Sequence, residues 1–222
     1  MSTPASPRTG YLLGAGAYGM WGLFPLYWPL LEPAGAVEIL AHRMVWSLLV
    51  MGLLVVVLKR RREALALVRD RRTLGLLALA SVTITSNWAF FIYGVNAGHV
   101  VEVSLGYFIN PLVTVLLGVL VLKETLRPLQ WAAVGVGAVA VVVLTLDYGR
   151  LPWVALVLAC SFGTYGLVKK RADVGAVESL ALETALVTPF ALAYLVFLGV
   201  TGAATVLDEG PAHALLLPRP AW

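Results

Sequence analysis

Apolar residues run almost unbroken through most of this chain, and the polar ones gather in short interruptions. Seven apolar stretches reach or nearly reach the roughly 20 residues that cross a hydrocarbon core: about 10–31, 35–58, 73–94, 101–122, 129–146, 151–168 and 180–200. The fifth and sixth are the shortest. A segment in lipid must satisfy its own backbone hydrogen bonds, and the alternating pattern of barrel strands is absent, so each stretch predicts a helix. The expected fold class is therefore an all-α membrane protein with seven transmembrane helices present.

Two polar-edged motifs occur twice. Tyr18–Leu23 reads YGMWGL and Phe162–Leu167 reads FGTYGL; Gly35–Leu40 reads GAVEIL and Gly175–Leu180 reads GAVESL. The first pair is offset by 144 residues and the second by 140, so one two-helix unit recurs with a shorter loop. Five spans separate the start of one copy from the start of the next, and because five is odd the second copy enters the membrane from the opposite face. The charges agree: loop one to two carries Glu32 and no cation, whereas its counterpart carries Lys169, Lys170 and Arg171. The expectation is an inverted repeat, a common plan among secondary transporters.

Composition supports the membrane reading, since 60% of the 222 residues are hydrophobic and 13% charged, against about 25% charged in soluble domains. The pI of 9.4 raises the question of nucleic acid. Placement of the cations answers it. Of the 16 lysines and arginines, Arg8, Lys59, Arg60, Arg61, Arg62, Arg69, Arg71, Arg72, Lys123, Arg127, Lys169, Lys170 and Arg171 all fall on one side of the weave, with Arg150 alone in the opposing short loops. The positive-inside rule puts that side and the N-terminus in the cytoplasm; the expected partners are membrane lipids, anionic ones included, and not nucleic acid. The opening MSTPASPRTG leads into an apolar run that continues to Leu31, so it reads as the start of an uncleaved first span rather than a secretory signal. Cys160 is the only cysteine, which leaves no internal disulfide and no cysteine metal site; no metal or cofactor is expected.

Candidate chemistry lies within the spans. Tyr107, Asn110, Pro111 and Thr114 stand at i, i+3, i+4 and i+7, on one helical face near the bilayer middle. Pro111 lacks an N–H, so the Tyr107 carbonyl loses its intrahelical donor and joins the Asn110 amide in a polar patch suited to orient a small amphiphilic solute; a tolerated kink is the alternative. Thr83 and Asn87 share a face of span three, with Trp88 following. An amide that deep must hydrogen-bond a neighbouring helix or a ligand. Glu38, His42 and Arg43 form the densest ionisable cluster in span two. Arg43 lies about 13 Å inside at about 1.5 Å per residue, a depth at which charges face protein or a wet cavity. Glu38 and Glu102 each read either as a helix-start carboxylate or as an ion-coupling group. The repeat offset carries Arg43 onto Glu183, and mirror depths in opposite leaflets favour separate partners over a direct salt bridge. Trp21, in the aromatic run WGLFPLYW, reads as interfacial packing or as a stacking surface for solute.

Enzyme chemistry finds no support: there is no nucleophile with a base, no HExxH and no phosphate-binding glycine loop, so no catalytic residue is assigned. Without a nucleotide-binding domain, ATP cannot drive transport from within this chain. A seven-helix receptor or partner-subunit role is the alternative to a permease, but it leaves the repeat unexplained.

The stretches WGLFPLYW (Trp21–Trp28), GAVEILAHR (Gly35–Arg43) and EVSLGYFINPLVTVLLGVLVLKE (Glu102–Glu124) closely resemble RarD-type permeases of the EamA family, in the drug/metabolite transporter superfamily, from about Gly10 to Gly210. The resemblance implies a bacterial inner-membrane permease of ten helices, two inverted five-helix halves around a central cavity. Against that pattern the chain divides into a tail over 1–9, a first five-helix repeat over 10–146, the start of a second repeat over 151–200, and a tail over 201–222 in which PAHALLLPRPAW stops an eighth helix at Pro218 and Pro220. The expectation is a truncated second repeat, seven helices of ten, in a chain that inserts but does not transport alone, and whose partners include a second copy or a complementing C-terminal half.

Overall fold

A computed structural model describes residues 7–27, 34–149 and 151–205. The described residues form eight helices and no strand. They belong to two units, one of residues 1–34 and 205–222, the other of residues 35–204. The first unit contributes α1 (Pro7–Tyr27), in which Tyr18 and Trp21 meet edge to face with centroids 5.8 Å apart. The end of the first apolar stretch, with Trp28 and Glu32, lies outside the described residues, as do Arg150 and the tail from residue 206.

The second unit holds α2 (Ala36–Val57), α3 (Arg61–Arg69), α4 (Arg71–Asn96), α5 (Val100–Leu122), α6 (Pro128–Tyr148), α7 (Trp153–Ala172) and α8 (Ala176–Thr201). Six of these fall on the apolar stretches, and their ends follow local chemistry. Asp70 caps α4 by accepting from the Arg72 and Thr73 N–H groups at 3.1 and 3.3 Å. The Thr73 hydroxyl, followed by the Arg72 N–H, holds the Asp70 carboxyl below its usual range. The sign follows: the cap is intact at neutral pH and is lost only as pH falls through that depressed value. Pro128 opens α6 at a position where its missing N–H costs nothing. Gly98, at φ 76°, makes the three-residue turn between α4 and α5, a backbone region that residues with a Cβ avoid.

Five helices, α2, α4, α5, α6 and α8, are long and apolar enough to cross a membrane. Of the seven expected spans, α1 and α7 fall short by that measure among the described residues. Glycines and tyrosines dilute α1, and α7 ends in Lys169, Lys170 and Arg171 within only 20 residues. Between the second and third stretches, where no apolar run predicts a helix, the structure places the nine-residue α3.

Helix α4 packs against α2, α5, α7 and α8, while α7 lies along both α4 and α5. Leu105 and Ile109 of α5 meet Ala155 and Ala159 of α7 in an apolar cluster. Small residues let these two backbones come close, which is how helices associate where lipid is as apolar as leucine. Helix α6 rests on α5 and buries none of its residues, leaving Leu129 and Val136 83% and 72% exposed, as suits a helix that faces lipid.

Arg60, just beyond α2, bonds Glu178 in the first turn of α8 at 2.6 Å, so α2 and α8 pack antiparallel. The two GAVE motifs thus begin at opposite ends of the bundle. Locally they are alike: Gly35 and Gly175 each cap their helix with ψ near 150° (155° and 142°), each accepts an N–H four residues on at 3.0 Å, and Glu38 and Glu178 are both buried in the first turn.

Candidate functional site

Asn87 of α4 and Tyr107 and Asn110 of α5 come together beside α7. Asn87, Gly106, Tyr107, Asn110, Leu158 and Phe162 line a cleft of about 10 Å³, room for one water molecule. Asn87 is buried and donates both amide hydrogens to α7, to the Leu158 carbonyl at 2.9 Å and the Ser161 hydroxyl at 2.9 Å. Ser161 in turn donates to the Val157 carbonyl at 2.6 Å. The Asn87 side chain therefore ties α4 to α7, and at the same time forms one wall of the cleft. Thr83, on the same face, spends its hydroxyl on its own helix, at the Leu79 and Ala80 carbonyls.

On α5 the four-residue face divides. Tyr107, itself half-exposed, and Asn110 line the cleft, while Pro111 and Thr114 lie outside it and are exposed, Thr114 donating to Asn110 Oδ1 at 3.3 Å. Tyr107 meets Phe91 edge to face, with centroids 6.1 Å apart. Helix α5 continues through Pro111 without a break. Trp88 is not in the cleft: it lies under Arg43, whose guanidinium carbon sits 3.4 Å from the ring centroid in a cation–π contact. Trp21 belongs to the other unit.

The ionisable groups occupy separate places. Glu102, 1% exposed, accepts from the Tyr148 hydroxyl at 2.9 Å and the Val154 N–H at 3.3 Å, with His99 Nδ1 also 3.3 Å away. It thereby fastens the start of α5 to the end of α6 and the start of α7. Glu183 is buried against Lys169 of α7 at 2.7 Å, and Lys169 also donates to the Ser179 hydroxyl. The other carboxylate oxygen of Glu183 is buried without a hydrogen-bond partner among the described residues. Arg43 and Glu183 thus have different partners, Trp88 for one and Lys169 for the other. Glu38 is buried in the first turn of α2, with His42 half-buried one turn later. Lys170 pairs with Glu124, and Arg171 donates to the Val121 carbonyl at 3.3 Å, closing the same end of the bundle at which Arg60 meets Glu178. Among the described residues no three His, Cys, Asp or Glu side chains gather to hold a metal.

Residues 8–146 match the model of the EamA-like transporter family. The chain belongs to that family. Among proteins it resembles, Protein RarD of Streptomyces exfoliatus is 58% identical over 98% of this chain and 69% of its own length. An uncharacterized transporter of Bacillus subtilis, YojE, is 46% identical over 88% of this chain and 66% of its own length. The chloramphenicol-sensitive protein RarD of Pseudomonas aeruginosa is 34% identical over 94% of this chain and 71% of its own length. The chain spans about two thirds of the length of these relatives. No solved structure matches it.

This EamA-family chain is a RarD-type permease, a multi-pass bacterial membrane protein. Several groups in its polar network escape a reading of the sequence. Gly106, Leu158 and Phe162 complete the cleft; of these, only Phe162 carried a signal, as the first residue of the repeated FGTYGL. Lys169 reads in sequence as one of a run of topology-setting cations, and only the fold, in which α7 and α8 both pack on α4, shows it bonded to Glu183.

Proposed function

We propose that the chain works as a secondary permease that moves a small organic solute by alternating access, with the cleft between α4, α5 and α7 as the solute-facing patch. One observation carries the reading: Asn87, Tyr107 and Asn110 are brought together in otherwise apolar helices, beside an exposed continuation of the same face at Pro111 and Thr114. Polar groups at that depth mark substrate pathways in membrane proteins. At about 10 Å³ the cleft has room for little more than a water molecule, so a solute held there requires it to widen. The antiparallel α2 and α8, starting alike at opposite ends, support an inverted repeat as the device that alternates access. The cations gathered at one end support a cytoplasmic N-terminus in the bacterial inner membrane.

The solute class is a small amphiphile with an aromatic ring, for which chloramphenicol, in the name of the Pseudomonas aeruginosa relative, is a fitting probe. The test reconstitutes the chain in liposomes, alone and with the portion of the Streptomyces exfoliatus relative that the alignment leaves uncovered, and follows labelled chloramphenicol. Flux with the relative's portion present is expected to fall about tenfold in Asn110→Ala and in Pro111→Ala, one lost charge-free contact of about 1 to 1.5 kcal/mol, with insertion unchanged. Unaltered transport kinetics in both variants would reduce the patch to packing.

A further inference from the structure

We propose that the outward face of α3 is a binding site for anionic phospholipid headgroups. Helix α3 sits between two membrane-crossing helices, α2 and α4, so it lies at the boundary of the bilayer. Its two sides differ. Ala64 and Leu67 are half-buried, as expected for the side that packs on α8, α4 and α2. The start of the helix is held in place by Arg60, bonded to Glu178 of α8 at 2.6 Å. With one side and one end fixed to the bundle, the orientation of the other side is set.

That other side carries Leu65 and Val68, 63% and 47% exposed, one turn apart. Arg61, Arg62 and Arg69 stand three or four residues from Leu65, on the same face, and all are exposed. No residue of α3 is buried. An apolar pair rimmed by guanidinium groups matches one environment at a membrane edge. The leucine and valine enter the acyl boundary, and the arginines meet phosphates above it, each able to bond two oxygens at once. The surrounding segment reinforces the field: Lys59, Arg71 and Arg72 add cations, against Glu63 and Asp70 as the acidic groups between residues 59 and 72. A polybasic segment of this kind concentrates anionic lipid within a Debye length of the surface.

Charge complementarity selects the occupant. A zwitterionic lipid offers phosphate together with its own cation, whereas an anionic lipid offers uncompensated charge to three arginines at once. This site does not depend on the transport reading above, because it requires only that α2 and α4 cross the membrane.

The test uses the whole chain with Cys160→Ser and Ala66→Cys, the new thiol carrying a bimane label on the exposed edge of α3. It is reconstituted in phosphatidylcholine vesicles doped with headgroup-level nitroxide on either phosphatidylglycerol or phosphatidylcholine. Quenching is expected from both, and more strongly from the anionic carrier, with local enrichment on the order of fivefold per engaged arginine. The excess is expected to vanish in molar salt and in the triple variant Arg61→Gln, Arg62→Gln, Arg69→Gln. Equal quenching by the two carriers would overturn the proposal, and so would an excess that survives the triple substitution. Absence of quenching by either lipid would show that the face points away from the bilayer, as a site for an acidic peptide would, and would also overturn it. Should the triple variant fail to reconstitute, the salt series on the unaltered face decides: an excess insensitive to salt rules out the phosphate contact.

Discussion

Glu102→Leu is expected to destabilise the detergent-solubilised chain by about 3 to 5 kcal/mol, and Glu102→Gln by about 1 to 2 kcal/mol. The difference follows from what the carboxylate holds. One oxygen accepts from Tyr148 and the other from the Val154 N–H, at 1% exposure. Leucine fills the volume but accepts from neither Tyr148 nor the Val154 N–H, and so removes both bonds where three helix ends meet. Glutamine keeps an oxygen for Tyr148 while turning a donor toward the Val154 N–H, so one bond is lost instead of two. Thermal unfolding followed by circular dichroism separates the cases: Leu unfolds well below Gln, which unfolds below the parent. Equal melting temperatures for the two variants would mean that Glu102 is not the tie between α5, α6 and α7.

Gly106→Val is expected to cost about 1 to 3 kcal/mol or more, while Gly135→Val is nearly neutral. A Cβ at residue 106 would lie 3.1 Å from Leu158 Cβ and 3.2 Å from both Cα and O of Ala155. Two of those three atoms are backbone, so α7 cannot yield by turning a side chain. It must move away from α5, opening the cluster of Leu105, Ile109, Ala155 and Ala159. At Gly135 on α6 a Cβ meets nothing within 4 Å. The same addition on two helices therefore isolates close packing from helix propensity. Melting temperatures of the two variants give the comparison, and a shared value would show that α5 and α7 do not pack through Gly106.

The membrane helices were legible because lipid imposes one rule on every span. The apolar run 35–58 became Ala36–Val57, and 101–122 became Val100–Leu122, within a residue or two. The glycine starts of α2 and α8 were visible as well, since GAVE recurs as a sequence and caps as a structure. Helix α3 was not legible from apolar runs: its nine residues are rich in arginine, and only a period of three to four, in Ala64, Leu67 and the opposing Leu65 and Val68, betrays it. For Asn87, burial cost alone demanded a partner, but helix or ligand stayed open. The answer lies on Leu158 and Ser161, more than seventy residues away, and pairing between helices is a property of tertiary packing that no local pattern encodes. The same holds for Glu183 and Lys169, each visible as an ionisable residue and neither readable as the other's partner.

A single cysteine at residue 110 reports directly whether solute occupies the space beside it. In the reconstituted Cys160→Ser background, with the uncovered portion of the relative present, Asn110→Cys is labelled by a small maleimide with and without chloramphenicol. Thr125→Cys, in the exposed loop between α5 and α6, serves as reference. Solute contact predicts that chloramphenicol slows labelling at residue 110 severalfold, in a saturable way, and leaves residue 125 unchanged. Labelling at residue 110 that is indifferent to saturating chloramphenicol, in a preparation that transports it, would contradict the placement of the solute in the α4–α5–α7 cleft.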